Sequence, residues 1–175
     1  MKKILFAISM FALLCTYANA QAVTEITPTD STANAVLLQN EFWGSTLGIT
    51  KKADAKAKLD SRKMSVSDYN GSLIIDSPTL DGLSYSYASM DFDGDVLNSV
   101  TFMKSGLTKD DAIVFSKAIY SNFADKYVMI KTSVDGFDCY FTSVGTTTCT
   151  LFVSQTEYGY TASVCYEYGT VKLKN

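Results

Sequence analysis

The fold is decided by residues 106–126, which read GLTKDDAIVFSKAIYSNFADK. Four apolar side chains recur here at helical spacing and share one face: Ala112, Phe115, Ile119 and Phe123. Thr108 precedes this run and forms a variant capping box with Asp111, so we expect a helix that opens at Thr108 and continues to about Lys126. A helix with one apolar face needs a second layer of structure to cover that face.

The start of this helix has an earlier counterpart in the chain. Residues 48–51 read GITK and residues 106–109 read GLTK, while residues 81–89 and 135–143 form a second pair of similar segments in the same order and at nearly the same spacing. The sequence therefore predicts a tandem duplication, with one repeat over about 42–104 and the other over about 105–168.

The earlier copy predicts a first helix from Lys51 to about Arg62, with Thr50 as its N-cap. Its apolar stripe is thinner and consists of Ala53, Ala57 and Leu59.

Alternating apolar and polar residues after each helix predict antiparallel strands. The expected strands are Ser72–Ile75, Leu83–Met90, Val96–Met103, Val128–Thr132, Phe137–Thr142, Thr147–Ser154 and Tyr160–Tyr168. The predicted fold is α+β, with tandem repeats of one helix and one meander that form a single continuous antiparallel sheet with both helices on one face.

Alternation also divides the strand residues between the two faces of the sheet. We expect these residues to face the helices: Leu83, Tyr85, Tyr87, Phe137, Cys139, Phe141, Leu151, Val153, Ala162, Val164, Tyr166 and Tyr168. The opposite face is rich in Ser and Thr, which is typical of a solvated sheet, but its aromatic residues also suit a docking surface. The candidate partner-binding residues on it are Tyr140, Phe152, Thr142, Thr150, Ser163 and Glu167.

The cysteines of the second repeat suggest a disulfide. If residues 143–145 form a hairpin turn, Cys139 lies directly opposite Cys149 on the buried side, and Cys165 points to the outer face. We therefore expect a Cys139–Cys149 bridge. The alternative is three reduced, partly buried cysteines.

The N-terminus has the pattern of a secretory signal peptide. Lys2 and Lys3 precede a short apolar run, and Ala18 and Ala20 suit cleavage after Ala20. The alternative is a lipoprotein anchored at Cys15. We expect a signal peptide over 1–20, a flexible lead-in over 21–35 and a single domain over 36–175, in a periplasmic or secreted protein with no transmembrane segment.

Charge and composition exclude several functions. The chain carries 15 Lys+Arg against 18 Asp+Glu and shows no basic patch, which argues against a nucleic-acid partner. It contains no histidine, so Ser-His-Asp and Cys-His nucleophile systems and His-based metal sites are excluded. Residues 91–95 read DFDGD, which favours a hairpin turn, with a Ca²⁺ loop as the alternative. We predict no catalytic residue, no cofactor and no metal.

The predicted architecture resembles two groups of small exported bacterial proteins. Residues 47–51 and the hairpin from Asp91 to Val100 are similar to segments of the β-lactamase inhibitory protein fold and of the outer-membrane-assembly lipoproteins of the SmpA/OmlA type. The resemblance implies a protein that binds other proteins or envelope components without catalysis. We therefore expect a non-catalytic binding module that uses the open sheet face. A small hydrolase whose carboxylates converge only in the fold is the alternative.

Overall fold

The computed structural model describes residues 37–169. The predicted signal peptide, the alternative lipid anchor at Cys15, the lead-in and the outermost residues of the predicted domain lie outside this range. No helix within residues 37–169 has the length and apolar character needed to cross a membrane.

The fold is α+β, with helix α1 over Lys52–Ser61 and helix α2 over Lys109–Ala124. Capping of α2 is as predicted, since the Thr108 hydroxyl accepts a hydrogen bond from the Asp111 backbone N–H at 3.2 Å. Capping of α1 by Thr50 is wrong. The cap residue is Lys51, and the Thr50 hydroxyl instead accepts a hydrogen bond from the Thr46 backbone N–H at 2.8 Å.

The two helices bury different amounts of apolar side chain. Helix α2 buries Ala112, Ile119 and Phe123 as predicted. In α1 the buried residues are Ala55 and Leu59, whereas Ala53 and Ala57 are exposed, so the predicted stripe is wrong at two of its three positions. A helix of alanines and lysines carries too weak an apolar pattern to fix its own rotation, and tertiary packing chooses the buried face.

The strands form one large antiparallel sheet and two short hairpins. In chain order they are β1 Glu41–Phe42, β2 Ser45–Thr46, β3 Val66–Tyr69, β4 Ser72–Asp76, β5 Thr79–Leu80, β6 Leu83–Ser84, β7 Tyr87–Asp93, β8 Val96–Leu107, β9 Ile130–Val134, β10 Phe137–Val144, β11 Thr147–Thr156 and β12 Gly159–Tyr168. The large sheet has eight strands in the order β3-β4-β7-β8-β12-β11-β10-β9, and β1-β2 and β5-β6 form the hairpins.

The sheet joins two meanders at its centre. The meander that follows α1 ends in β8, the meander that follows α2 ends in β12, and these two last strands pair with each other. The predicted strand over Leu83–Met90 is interrupted at Tyr85 and Ser86, which separate β6 from β7. As a result Tyr87 lies on the opposite face from Ala88 and Met90, which are in the core.

The hairpin between β10 and β11 differs from the prediction in register. Val144 pairs with Thr147, so the turn lies at Gly145 and Thr146, and Thr142 rather than Cys139 stands opposite Cys149. Cys139 is three residues from Thr142, and residues an odd number apart on a strand point to opposite faces. The predicted Cys139–Cys149 bridge is therefore wrong, and no disulfide joins the three cysteines of the described region.

One core cluster gathers buried side chains from the helices and the sheet. It includes Leu59 of α1, Ile119 of α2, and strand residues such as Phe102, Leu151 and Tyr166. The face of the sheet that carries Phe102, Leu151 and Tyr166 is called the helix face below, because α2 packs on it. Tyr166 illustrates this packing, since its ring lies 4.9 Å from that of Phe42 and 6.2 Å from that of Phe123.

Candidate functional site

The face opposite the helix face carries a groove of about 370 Å³ across the four central strands. Within residues 37–169 its lining comes entirely from β7, β8, β11 and β12, which are neighbours in the sheet. This surface is called the groove face. Strand pairing arranges most of its side chains in rows that run across the strands. Beyond the three rows that contain Ser99, Thr101 and Met103, the pair Ser154 and Thr161 also lines the groove.

The middle row consists of small side chains and forms the groove floor. Thr101 stands opposite Ser89 on β7 and opposite Cys165 on β12, and Cys165 stands opposite Thr150 on β11. Larger side chains stand in the rows on either side. The surface is concave here because small side chains lie between two rows of larger side chains.

The first flanking row is acidic. Asp91 and Glu167 stand on either side of Ser99, and Asp93 also lines the groove. None of the Lys and Arg side chains among the described residues is part of the lining. Asp91, Asp93 and Glu167 are called the acidic end.

The two paired carboxylates of the acidic end have different surroundings. Asp91 accepts hydrogen bonds from the hydroxyls of Ser72, Ser89 and Ser99, the second at 3.0 Å and the third at 3.4 Å. Burial raises the pKa of Glu167, and a hydrogen bond from the Asn98 amide offsets part of that rise. Asp91 is thus held by three neighbouring hydroxyls, while burial is the largest influence on Glu167.

The other flanking row is apolar. Met103 stands opposite Tyr87 on β7 and opposite Ser163 on β12, and Ser163 stands opposite Phe152 on β11. Burial raises the pKa of the Tyr87 phenol. Tyr87, Met103 and Phe152 are called the apolar end, and the groove therefore changes from charged to apolar along the direction of the strands.

Ser163 lies within the apolar row and is 1% exposed. Its hydroxyl has no hydrogen-bond partner among the residues that the structure describes, although it lines the groove. A buried hydroxyl without a partner is unfavourable by about 1–3 kcal/mol, so such groups are rare in folded proteins. Ser89 is equally buried on the same face, and its hydroxyl is bonded to Asp91.

Four of the six predicted partner-binding residues lie in the groove lining: Phe152, Thr150, Ser163 and Glu167. The other two, Tyr140 and Thr142, lie on the helix face, because Tyr140 pairs with Leu151 and Thr142 with Cys149. The Tyr140 ring packs at 4.5 Å on Tyr120 of α2. Their placement on the open face was wrong for the same reason as the disulfide, namely the register of one hairpin.

Sequence reasoning missed the contribution of the first meander to this surface. Tyr87, Asp91, Thr101 and Met103 all line the groove, and none was a candidate. Period-two alternation along β8 carries the signal for Thr101 and Met103, because both alternate with the buried Val100 and Phe102. Asp91 was not a candidate because residues 91–95 were interpreted as a hairpin turn, whereas its side chain faces the groove.

In the described part of the chain, no group of three or more Cys, Asp or Glu side chains is arranged to hold a metal ion. Comparisons of the chain with protein-family models, with curated proteins and with solved structures gave no match.

Proposed function

We propose that this protein is an exported, non-catalytic binding module that holds a partner protein or an envelope component in the groove. The observation that carries the proposal is a groove on the central strands in which an acidic row and an apolar row flank a floor of small side chains. Ligand sites combine apolar lining with a few oriented polar groups in this way. Export rests on the signal-peptide pattern of residues 1–20, with a periplasmic or secreted location and a lipid anchor at Cys15 as the alternative.

We further infer that both helices lie on one face of the sheet and that the chain arose by tandem duplication. Ala55 and Leu59 of α1 join the same core cluster as Ile119 and Phe123 of α2, which supports a shared face. Each helix is followed by a four-strand meander in the large sheet, which supports the duplication. A shared face leaves the groove side uncovered by helices. The architectural resemblance to small inhibitory and envelope proteins is consistent with such a surface.

The surroundings of the carboxylates favour binding over catalysis. The three serine hydroxyls on Asp91 take up three of the roughly four acceptor positions of its carboxylate. The chain has no histidine to act as a base for a serine or a cysteine. A groove with these residues has groups that orient a ligand and lacks an evident activated nucleophile.

Groove filling tests the proposal. Thr101→Trp places an indole on the groove floor, and Ser121→Trp adds the same side chain at an exposed position of α2. We expect the neutral dye Nile red to bind the wild-type protein and the Ser121→Trp variant with enhanced fluorescence, and to lose most of that signal with Thr101→Trp. Thr150→Trp repeats the test if circular dichroism shows that Thr101→Trp does not fold. Equal dye binding by folded groove and control variants would contradict the proposal.

One observation favours a small hydrolase as a second candidate. Asp91 and Glu167 both line the groove and flank Ser99 on neighbouring strands, and burial raises the pKa of Glu167 toward the range of a general acid. Turnover of a chromogenic glycoside that disappears in Glu167→Gln would establish this activity. Binding of the same glycoside without turnover would leave the binding module as the function.

A further inference from the structure

Charge decides which group of a ligand occupies the acidic end. Asp91, Asp93 and Glu167 line that end, and no Lys or Arg side chain within residues 37–169 lines any part of the groove. A carboxylate or phosphate on the ligand would be repelled here, whereas an ammonium would gain charge-assisted hydrogen bonds. Burial of Glu167 strengthens this selection, because a partly desolvated carboxylate gains more from an opposite charge than a fully hydrated one.

Ser163 indicates a second polar group on the ligand. Ser163 is one of the lining residues, and its buried hydroxyl lacks a partner in the described chain, so it has a free donor and free acceptor positions. A ligand oxygen at this point would satisfy the hydroxyl. The need for a ligand oxygen at Ser163 is independent of the acidic end, since Ser163 belongs to the apolar row with Met103 and Phe152.

The spacing of the two polar positions sets the length of the ligand. Glu167 and Ser163 are four residues apart on β12 and share a face, which separates their Cα atoms by about 13 Å. Both side chains stand roughly perpendicular to the sheet, so it is mainly the two hydrogen bonds of about 2.8 Å each that take up part of that distance. The remaining distance matches the separation of two polar atoms that are joined by one aromatic ring and a two-carbon arm.

The position of the groove disfavours an added strand as its occupant. Each of the four lining strands has a neighbouring strand on both sides in the sheet, although β11 has no β10 partner beyond Leu151 and β7 has no β4 partner beyond Met90. A peptide strand adds to a sheet edge, and the edges here are β3 and β9. A groove of about 370 Å³ is at the small end of ligand pockets, which span about 300–1,000 Å³.

We propose that the groove binds a small amphiphilic amine: an ammonium at the acidic end, a flat apolar body over Thr101 and Cys165, and a hydrogen-bonding oxygen at Ser163. This inference rests on the proposed binding function and gives its ligand a chemical class. The small floor residues accept a ring face, and Tyr87, Met103 and Phe152 surround its far side with aromatic and thioether contacts.

Tyramine and three analogues test each part of this assignment by titration calorimetry. Phenethylamine lacks the hydroxyl, para-ethylphenol lacks the amine, and para-hydroxyphenylpropionate replaces the ammonium with a carboxylate. We expect tyramine to bind about tenfold more tightly than phenethylamine or para-ethylphenol, because each loses one hydrogen-bonded group. The carboxylate analogue should bind most weakly.

Two variants assign the preferences to residues. Ser163→Ala should remove the difference between tyramine and phenethylamine without weakening phenethylamine. Glu167→Gln should reduce the difference between tyramine and para-ethylphenol without weakening para-ethylphenol, and Asp91 and Asp93 should account for the difference that is left. A role for either residue in structure alone would weaken all four compounds together, and that result would overturn the assignment.

The dye experiment separates failure of this inference from failure of the proposed function. If Thr101→Trp blocks Nile red but tyramine does not bind, or binds no better than its carboxylate analogue, the amine assignment is wrong and the binding groove stands. If Thr101→Trp leaves Nile red binding unchanged, both proposals fail. Tyramine binding that is lost in Thr101→Trp, kept in Ser121→Trp and selective in the two variants would support both.

Discussion

On β12, one residue of the groove face is as deeply buried as its neighbours on the helix face, although the two faces have different surroundings. On β12 the helix face presents Val164 and Tyr166, at 0% and 1% exposure, while the groove face presents Ser163 at 1%. The first two belong to the core cluster with residues from both helices, and Ser163 does not. Burial alone therefore does not distinguish a core from a binding surface. The distinction lies in volume and in the satisfaction of polar atoms.

The groove face contains the same contrast on a smaller scale. Ser89 and Ser163 are each 1% exposed, but Ser89 donates to Asp91 and Ser163 has no partner among the described residues. Buried hydroxyls in folded proteins are normally bonded, so the unbonded one is the exception that requires a reason. We therefore expect substitutions to lower stability on the helix face and to have opposite effects at these two serines.

The largest expected effect is on the helix face. Ile119→Ala should lower the free energy of unfolding by about 2–5 kcal/mol, because Ile119 is fully buried between α2 and the sheet and its truncation leaves a cavity. Val114→Ala on the same helix is the control: Val114 is 67% exposed, and its truncation should change stability by no more than about 0.5 kcal/mol. Urea unfolding measures both. Similar losses in the two variants would mean that α2 is packed differently.

A smaller effect of opposite sign should separate the two serines. Ser163→Ala should raise the free energy of unfolding by about 1 kcal/mol, because it removes a buried donor that the folded protein leaves unbonded. Ser89→Ala should lower it by about 1.5–3 kcal/mol, because it removes a hydrogen bond to a carboxylate. The same urea titration measures both. Destabilisation by Ser163→Ala would show that its hydroxyl already has a partner in solution.

Local sequence signals predicted the parts of the fold that depend on local chemistry. The capped, periodic stretch after Thr108 predicted α2 and its buried residues, because capping and packing act on the same few turns. Strand β3 was missed although Asn70 and Gly71 form a hairpin turn after it, since the segment Val66–Tyr69 is short and polar. In so short and polar a segment, the alternation of apolar and polar residues is too weak to distinguish a strand from a loop.

Long-range pairing explains why the site was predicted only in part. The hairpin turn lies at Gly145 and Thr146 instead of the predicted residues 143–145, and Tyr140 and Thr142 lie on the helix face. The groove itself depends on the pairing of β8 with β12, which brings Thr101 beside Cys165. No local signal relates residues so far apart in the chain. The acidic and apolar ends are therefore properties of the assembled sheet.

The smallest expected effect concerns Glu167 and the pH dependence of stability. Burial raises the pKa of its carboxyl above 4.5 in the folded protein, so the folded state keeps the proton to a higher pH than the unfolded chain does. The contribution of this group to stability is thus complete below pH 4.5 and is lost as the pH rises through the folded pKa. Glu167→Gln should remove this loss, so the stability of the variant relative to the wild type should increase as the pH rises. Urea unfolding from about pH 4 to about pH 8 measures this difference in stability.

Asn98→Ala sharpens the test, because it removes the hydrogen bond that lowers the pKa of Glu167 and should shift the loss of stability to higher pH. If the wild type and Glu167→Gln respond in parallel to pH, Glu167 is hydrated in solution and the groove is more open at its acidic end.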